Sequence, residues 1–258
     1  MTQIADPDRL KWTAVPGTTD SDWQRTRQLL SNVLRQGDVK KIYHVRRNAV
    51  YRADVPELGP IAIKVATNKR LDRRIKERFI EAPRTVDEFY TTAEFWKRGG
   101  RVPRPLALAI EYSLLGIRRI FVFLEWIENT VTLAEYIVDQ SHLPDQKLWQ
   151  CVAEAMVDCA NKGLVHGGQN PDNILIAEQD GEPVATVIDI AQSTLHDGMN
   201  AQGFVNDVVR LGCRLELGQI CSNQSVDELF RVVAEAAWAD KEERRYWRDK
   251  MLARQQSA

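Results

Sequence analysis

Residues 163–176 read Gly-Leu-Val-His-Gly-Gly-Gln-Asn-Pro-Asp-Asn-Ile-Leu-Ile. His166 and Asn173 stand seven positions apart, and an apolar run follows them. This is the frame of a phosphoryl-transfer loop, H-x-D-x-x-x-x-N, in which the Asp orients the acceptor hydroxyl and the Asn holds a metal. One position departs from the frame. Where the Asp belongs, the chain carries Gly168. The stretch predicts a fold and, in the same seven residues, questions the activity that goes with it.

Around the loop the pattern is helical. Residues 145–162 place Leu148, Val152, Ala155, Met156 and Cys159 on one face, and Gly163 ends that helix. A short helix is expected at 133–138, and further helices at about 203–216 and 225–253. Two apolar strands, 173–177 and 184–189, are joined by Gln179-Asp180-Gly181-Glu182, a hairpin signal. The first half reads differently. After a polar leader, 1–20, expected to be loose or edge-packed, and a helix at 21–36, strands are predicted at 40–47, 49–55, 60–66, 106–112 and 119–126. One helix, 85–98, interrupts them with Phe89, Ala93 and Trp96 as its apolar stripe, and Gly99-Gly100 stops it. The plan is α+β in two lobes: residues 1–126 with a five-stranded antiparallel sheet, then a helical 127–258.

Composition allows this plan and excludes others. A chain of 258 residues, 44% hydrophobic, suffices for two lobes. The net charge of -1 offers no bulk attraction to nucleic acid. Cys151, Cys159, Cys213 and Cys221 form no C-x-x-C pair and read as buried, reduced thiols. The N-terminus lacks the basic and apolar regions of a signal peptide, and no apolar run reaches the length of a membrane span. The expected location is the cytoplasm, with contact at the inner-membrane surface left open.

Phosphoryl transfer asks for a cation on the phosphates, a carboxylate to orient that cation, metal ligands and an acceptor-orienting group. Lys64, in Ala62-Ile63-Lys64-Val65, lies mid-strand with Ile63 and Val65 on the opposite face. Glu88, 24 residues on, is its expected partner, with Glu94 as competitor. Asn173 and Asp189, brought together by one hairpin, are the expected Mg²⁺ ligands. His166 is expected to hydrogen-bond the backbone near Asp189.

These residues, in this order, resemble the protein-kinase-like superfamily, and within it the bacterial lipopolysaccharide core sugar (Kdo/heptose) kinase family. The resemblance covers roughly 38–250. It rests on the loop, on Trp96-Lys97-Arg98-Gly99-Gly100-Arg101-Val102-Pro103-Arg104-Pro105, on Asp189-Ile190-Ala191 and on Asn206-Asp207-Val208-Val209-Arg210-Leu211. No long activation segment follows Asp189, unlike a regulated protein kinase. The resemblance implies ATP and Mg²⁺ as cofactors and a core sugar or other anionic glycan as acceptor. It implies catalytic roles for Lys64 and Glu88, and a brace for the loop in Asp207. It places Arg46, Arg47 and Glu125 with Lys64 and Glu88 at the nucleotide, although Arg46-Arg47-Asn48-Ala49-Val50-Tyr51 lacks the family's covering glycines. The basic run Lys69–Arg78 would suit an anionic glycan or leaflet.

Gly168 is the larger departure. A positioned acid–base group contributes roughly 10²–10⁴-fold to rate. Gln169 and Asp172 are the nearest substitutes, but an amide takes no proton, and Asp172 should point away from Asn173's side. The expectation is therefore a slow sugar kinase or, alternatively, a pseudokinase that binds nucleotide and serves as a scaffold in cell-surface polysaccharide assembly.

Overall fold

The computed structural model describes residues 4–45, 48–68, 83–139 and 144–256. The expectations for Arg46, Arg47 and the run 69–78 lie outside these residues. Two compact units are present: Met1–Trp96 with Pro103–Glu128, and Lys97–Val102 with Asn129–Ala258.

The first unit is built on strands β1 (Leu10–Ala14), β2 (Lys40–Val45), β3 (Asn48–Val55), β4 (Gly59–Thr67), β5 (Pro105–Ser113) and β6 (Gly116–Glu125). They form one antiparallel sheet in the order β1-β5-β6-β4-β3-β2. Helices α1 (Asp20–Gln36) and α2 (Arg84–Lys97) accompany it. The central strands β4, β5 and β6 carry buried or partly buried apolar residues on both faces because each face is covered. Ile61, Ile63 and Val65 of β4 point to the side where Leu30, Val33 and Leu34 of α1 pack. Ala62 and Ala66 point to the other side, where Phe89 of α2 sits among Leu108, Ile120, Val122 and Leu124. Alternation along β4 thus puts Lys64 on the α2 face.

The sheet has one strand more than the sequence pattern suggests. Of the two expectations for the leader, loose or edge-packed, the second holds for Leu10–Ala14: Leu10 pairs opposite Glu111 and Ala14 opposite Ala107 at the sheet edge. Leu10 and Trp12, two apart, enter the α1-side core, where Trp12 stacks on Phe123 with centroids 5.4 Å apart. Its indole N–H donates to Pro7 O at 3.2 Å. A five-residue edge strand with two apolar anchors has too little periodicity to stand out in the sequence. Helix α1 also begins one residue before the expected 21, and its cap is Thr19, whose hydroxyl accepts from Asp22 N–H.

The second unit holds α3 (Leu133–Asp139), α4 (Gln146–Asn161), α5 (Ala201–Leu217), α6 (Asn223–Ala237) and α7 (Lys241–Gln255). Strand β7 (Thr130–Thr132) joins the hairpin β9 (Ile174–Gln179) and β10 (Glu182–Val187). A two-residue ladder pairs β8 (Leu164–Val165) with β11 (Thr194–Leu195). The single helix expected at 225–253 is two. Trp238 turns extended, at φ -125 and ψ 130, and Asp240 caps α7 by accepting from the Glu242 and Glu243 amides at 2.9 Å. No Gly or Pro marks this break. Trp238 is drawn into the core instead, stacked on Trp247 at 5.4 Å. The four cysteines are free, and burial pushes Cys151 and Cys159 up to about 12 and Cys221 up to about 11, so these three are inert thiols.

The β1 contact predicts that Trp12→Ala lowers unfolding stability by about 2 kcal/mol, from lost burial and the aromatic pair. Lys11→Ala, on the exposed side of the same strand, should leave it unchanged. Urea denaturation of the two variants measures the difference.

Candidate active site

In the first unit, Lys64 Nζ donates to Glu88 Oε1 at 2.6 Å. Glu88 is buried and Lys64 is about three-quarters buried, with side chains 9% and 23% exposed. The pair follows from the alternation of β4 and the seating of α2. Phe89 anchors the helix on the sheet, and its neighbour Glu88 is carried over Lys64. A buried pair of this kind leaves an uncompensated charge if either partner is removed. Glu94 is exposed on the same helix. Glu125 ends β6 with an exposed side chain, its N–H donating to Arg104 O at 2.9 Å.

In the second unit, the loop from the end of β8 to the 3₁₀ turn at Pro171–Asn173 has a backbone held at named points. Asp207, on α5, accepts from the His166 amide at 2.6 Å and from the Gly167 amide at 2.8 Å, one carboxylate oxygen for each. Burial pushes the Asp207 carboxyl above its ordinary value, while the two amides, His166 and Arg210 pull it down. Helix α5 comes close enough because residue 203 is glycine: a Cβ there would lie 2.6 Å from a methyl of Val165. Arg210, one turn after Asp207, donates to Gly167 O.

His166 is buried and its ring is fully used. The Gly168 amide donates to Nδ1 at 3.2 Å, so the ring hydrogen sits on Nε2, which donates to Ile188 O at 3.0 Å. The ring ties the loop to the residue before Asp189. A second tie runs from Ile188 N–H to Asn173 O at 2.9 Å. Asn173 closes a 3₁₀ turn, Pro171–Asn173, rather than opening the strand, and its Nδ2 donates to Gly168 O at 3.1 Å. That bond uses the amide nitrogen, so Oδ1 is the atom that could serve as a ligand. Asp189 carries an exposed carboxylate and adopts φ +58. The left-handed region costs a non-glycine residue roughly 1–2 kcal/mol, least for Asn and Asp. The two ties on Ile188 hold it there.

The neighbouring glycines 167 and 168 differ. Gly167 has φ +71, and a Cβ on it would lie 2.6 Å from Gln192 O. Only glycine fits. Gly168 lies outside the left-handed region, and a Cβ on it meets nothing closer than 3.4 Å. The backbone at 168 would accept an Asp, so the lost carboxylate is a side-chain difference and not a backbone requirement. Neither proposed substitute replaces it. Gln169 is 1% exposed, turned into the core beside a cavity of about 20 Å³ lined by Met156, Leu164 and Phe204, and its amide has no hydrogen-bond partner among the described residues. Asp172 is exposed on the 3₁₀ turn.

Among the described residues no three His, Cys, Asp or Glu side chains gather as a metal site. Asn173, whose carbonyl accepts from the Ile188 amide next to Asp189, and Asp189 itself carry an amide oxygen and a carboxylate, hard oxygen donors of the kind Mg²⁺ takes when phosphates supply the others. Among the described residues no helix is long and apolar enough to cross a membrane.

The model of the lipopolysaccharide kinase (Kdo/WaaP) family matches residues 64–232. The chain belongs to that family. The match starts at Lys64 and takes in Glu88, the whole loop, Asp189 and Asp207. A solved structure described as WaaP in complex with acyl carrier protein is similar over 96% of this chain and 97% of its own, with a TM-score of 0.58 and 15% identity. At that identity it shows the fold, a kinase-like one. No curated protein matches the chain. This Kdo/WaaP-family member holds its loop with contacts that sequence reading did not pick out, from Arg210, Ser193 and Gln192. Arg210 stands three residues from Asp207 on a helix, which is a legible spacing. Ser193 and Gln192 meet the loop only through the β8–β11 register.

The contrast between the glycines predicts that Gly167→Ala destabilises the protein by at least about 1–2 kcal/mol, while Gly168→Ala stays within about 0.5 kcal/mol of the parent. Asp207→Asn should speed amide hydrogen exchange at His166 and Gly167 before global stability is lost. Equal effects of the two alanines in chemical denaturation would contradict this account.

Proposed function

We propose that this Kdo/WaaP-family protein binds Mg·ATP and transfers a phosphoryl group to a hydroxyl of a lipopolysaccharide core sugar, slowly because residue 168 is glycine. The observation that carries the reading is the 2.6 Å pair between Lys64 and Glu88, in a chain whose family match begins at that lysine. Lys64 would bind the α- and β-phosphates, with Glu88 holding its ammonium in place. Asn173 and Asp189 would hold Mg²⁺, which neutralises charge on the phosphates. His166 and Asp207 touch no substrate in this scheme. They fix the loop that presents Asn173. Arg46, Arg47 and Glu125 are proposed nucleotide contacts, and the basic run 69–78 a contact for the anionic glycan or the inner-membrane surface that carries it.

The transition state of phosphoryl transfer is loose, so positioning and charge neutralisation supply much of the rate. Loss of the acceptor-orienting carboxylate then slows the reaction without removing nucleotide binding. The same glycine favours a second reading, a pseudokinase whose nucleotide-bound form serves as a scaffold in cell-surface polysaccharide assembly.

Calorimetric titration with Mg·ATP should show binding that Lys64→Ala weakens at least about tenfold, or ~1.4 kcal/mol. Absence of binding, or an unchanged affinity in Lys64→Ala, refutes both readings. Phosphorylation of core oligosaccharide separates them: turnover that Asn173→Ala and Asp189→Ala each abolish supports the kinase, and binding without turnover supports the pseudokinase.

A further inference from the structure

We infer that Gln192 takes the place of the absent loop carboxylate and orients the acceptor hydroxyl through its side-chain oxygen. The inference rests on the kinase reading above and names a group that reading lacks.

The register of β8 and β11 sets which residues face the loop. Val165 pairs opposite Thr194 and Leu164 opposite Leu195. Continued by two residues, the same register sets Ser193 against His166 and Gln192 against Gly167. Contacts follow that order. Ser193 Oγ donates to His166 O at 3.3 Å, and Gln192 O lies where a Cβ of residue 167 would be, 2.6 Å away. The turn carrying Gln192 is closed by Ser193 N–H donating to Ile190 O at 3.1 Å. The Gln192 backbone is therefore held on the loop from both sides.

Its side chain goes to residue 168. A Cβ built on Gly168 lies 3.4 Å from both Cδ and Nε2 of Gln192 and 3.7 Å from its Oε1. A side chain at 168 would start in van der Waals contact with the Gln192 amide, which therefore flanks the position where a loop carboxylate would begin. Gln192 is exposed, whereas Gln169, the glutamine nearer in sequence, is buried. Among the two, only Gln192 can meet a substrate.

An amide oxygen accepts a hydrogen bond from a hydroxyl, and a glutamine orients the attacking water in GTPases in this way. It does not take the proton. In the proposed step the acceptor oxygen forms its bond to the γ-phosphorus as the bond to the β,γ-bridging oxygen breaks. ADP leaves, and the hydroxyl proton passes to an oxygen of the transferred phosphoryl group or to water. A loose transition state tolerates this, because the nucleophile's proton is lost late.

The test compares wild type, Gln192→Ala, Gln192→Glu and Gly168→Asp, with Mg·ATP affinity by calorimetry and turnover on dephosphorylated core oligosaccharide across pH 4–9. Gln192→Ala should keep the affinity for Mg·ATP and lose about tenfold or more in kcat, within the range of a positioned catalytic group. Wild type should show no acid limb from a loop base. Gln192→Glu and Gly168→Asp should each raise kcat and acquire an acid limb in the carboxylate range, a signature that repacking alone does not produce. In the Gly168→Asp background, Gln192→Ala should matter little. A wild-type kcat in Gln192→Ala overturns the assignment, as does turnover confined to Gly168→Asp, or Mg·ATP binding with no turnover in any form. No Mg·ATP binding by the wild type overturns instead the kinase reading on which it rests.

Discussion

The Asp207 carboxylate is the contact on which the path of the second unit's loop depends. Its two oxygens each take one amide hydrogen, from His166 and Gly167, at 2.6 and 2.8 Å. A loop carries unpaired amides by nature, and buried ones need partners. Here a single side chain satisfies two in succession and so fixes the path of the chain as it leaves β8. Everything after that point inherits the constraint. The His166 ring is set to reach Ile188, Asn173 is set to receive the Ile188 amide, and Asp189 is held at φ +58 between them. The loop is ordered by backbone bonds, and its chemical side chains are what those bonds leave over.

This explains how the site is laid out independently of the group at 168. None of the ties runs through that residue's side chain; its amide and carbonyl alone take part, with His166 and Asn173. A carboxylate there is an addition to a frame that stands without it. Evolution of the frame and of the carboxylate can therefore separate, and a nearby side chain can enter the space. The first unit shows the same logic in a different element. Lys64 and Glu88 meet because alternation on β4 and the seating of Phe89 bring them to the same face of the sheet, and the pair needs nothing from residue 168.

Much of this was legible in the chain. The catalytic-loop spacing, Lys64 between two β-branched residues, and the hairpin from Asn173 to Asp189 each carry a period or an interval that local geometry enforces. Glu88 against Glu94 was a choice between two helix positions, and the contact with Lys64 goes to Glu88. What escaped was set by distant packing. The strand Leu10–Ala14 exists because Phe123 offers Trp12 a ring to stack on. The break at Trp238 exists because Trp247 and Phe204 draw that side chain inward, with Asp240 left as the only local sign. Gln169, weighed as a substitute for the loop Asp, proved to be core.

The sequence by itself determined the class of fold, the order of Lys64, Glu88, Asn173 and Asp189 and the absence of a carboxylate at 168, since spacing and residue type are local properties. Only the tertiary structure decided which glycine is needed for the backbone and which is not. It also showed that Gln192, 24 positions after Gly168, lies against it. The reason is register: the short β8–β11 ladder pairs residues far apart in the chain, and no local pattern encodes which of them face each other.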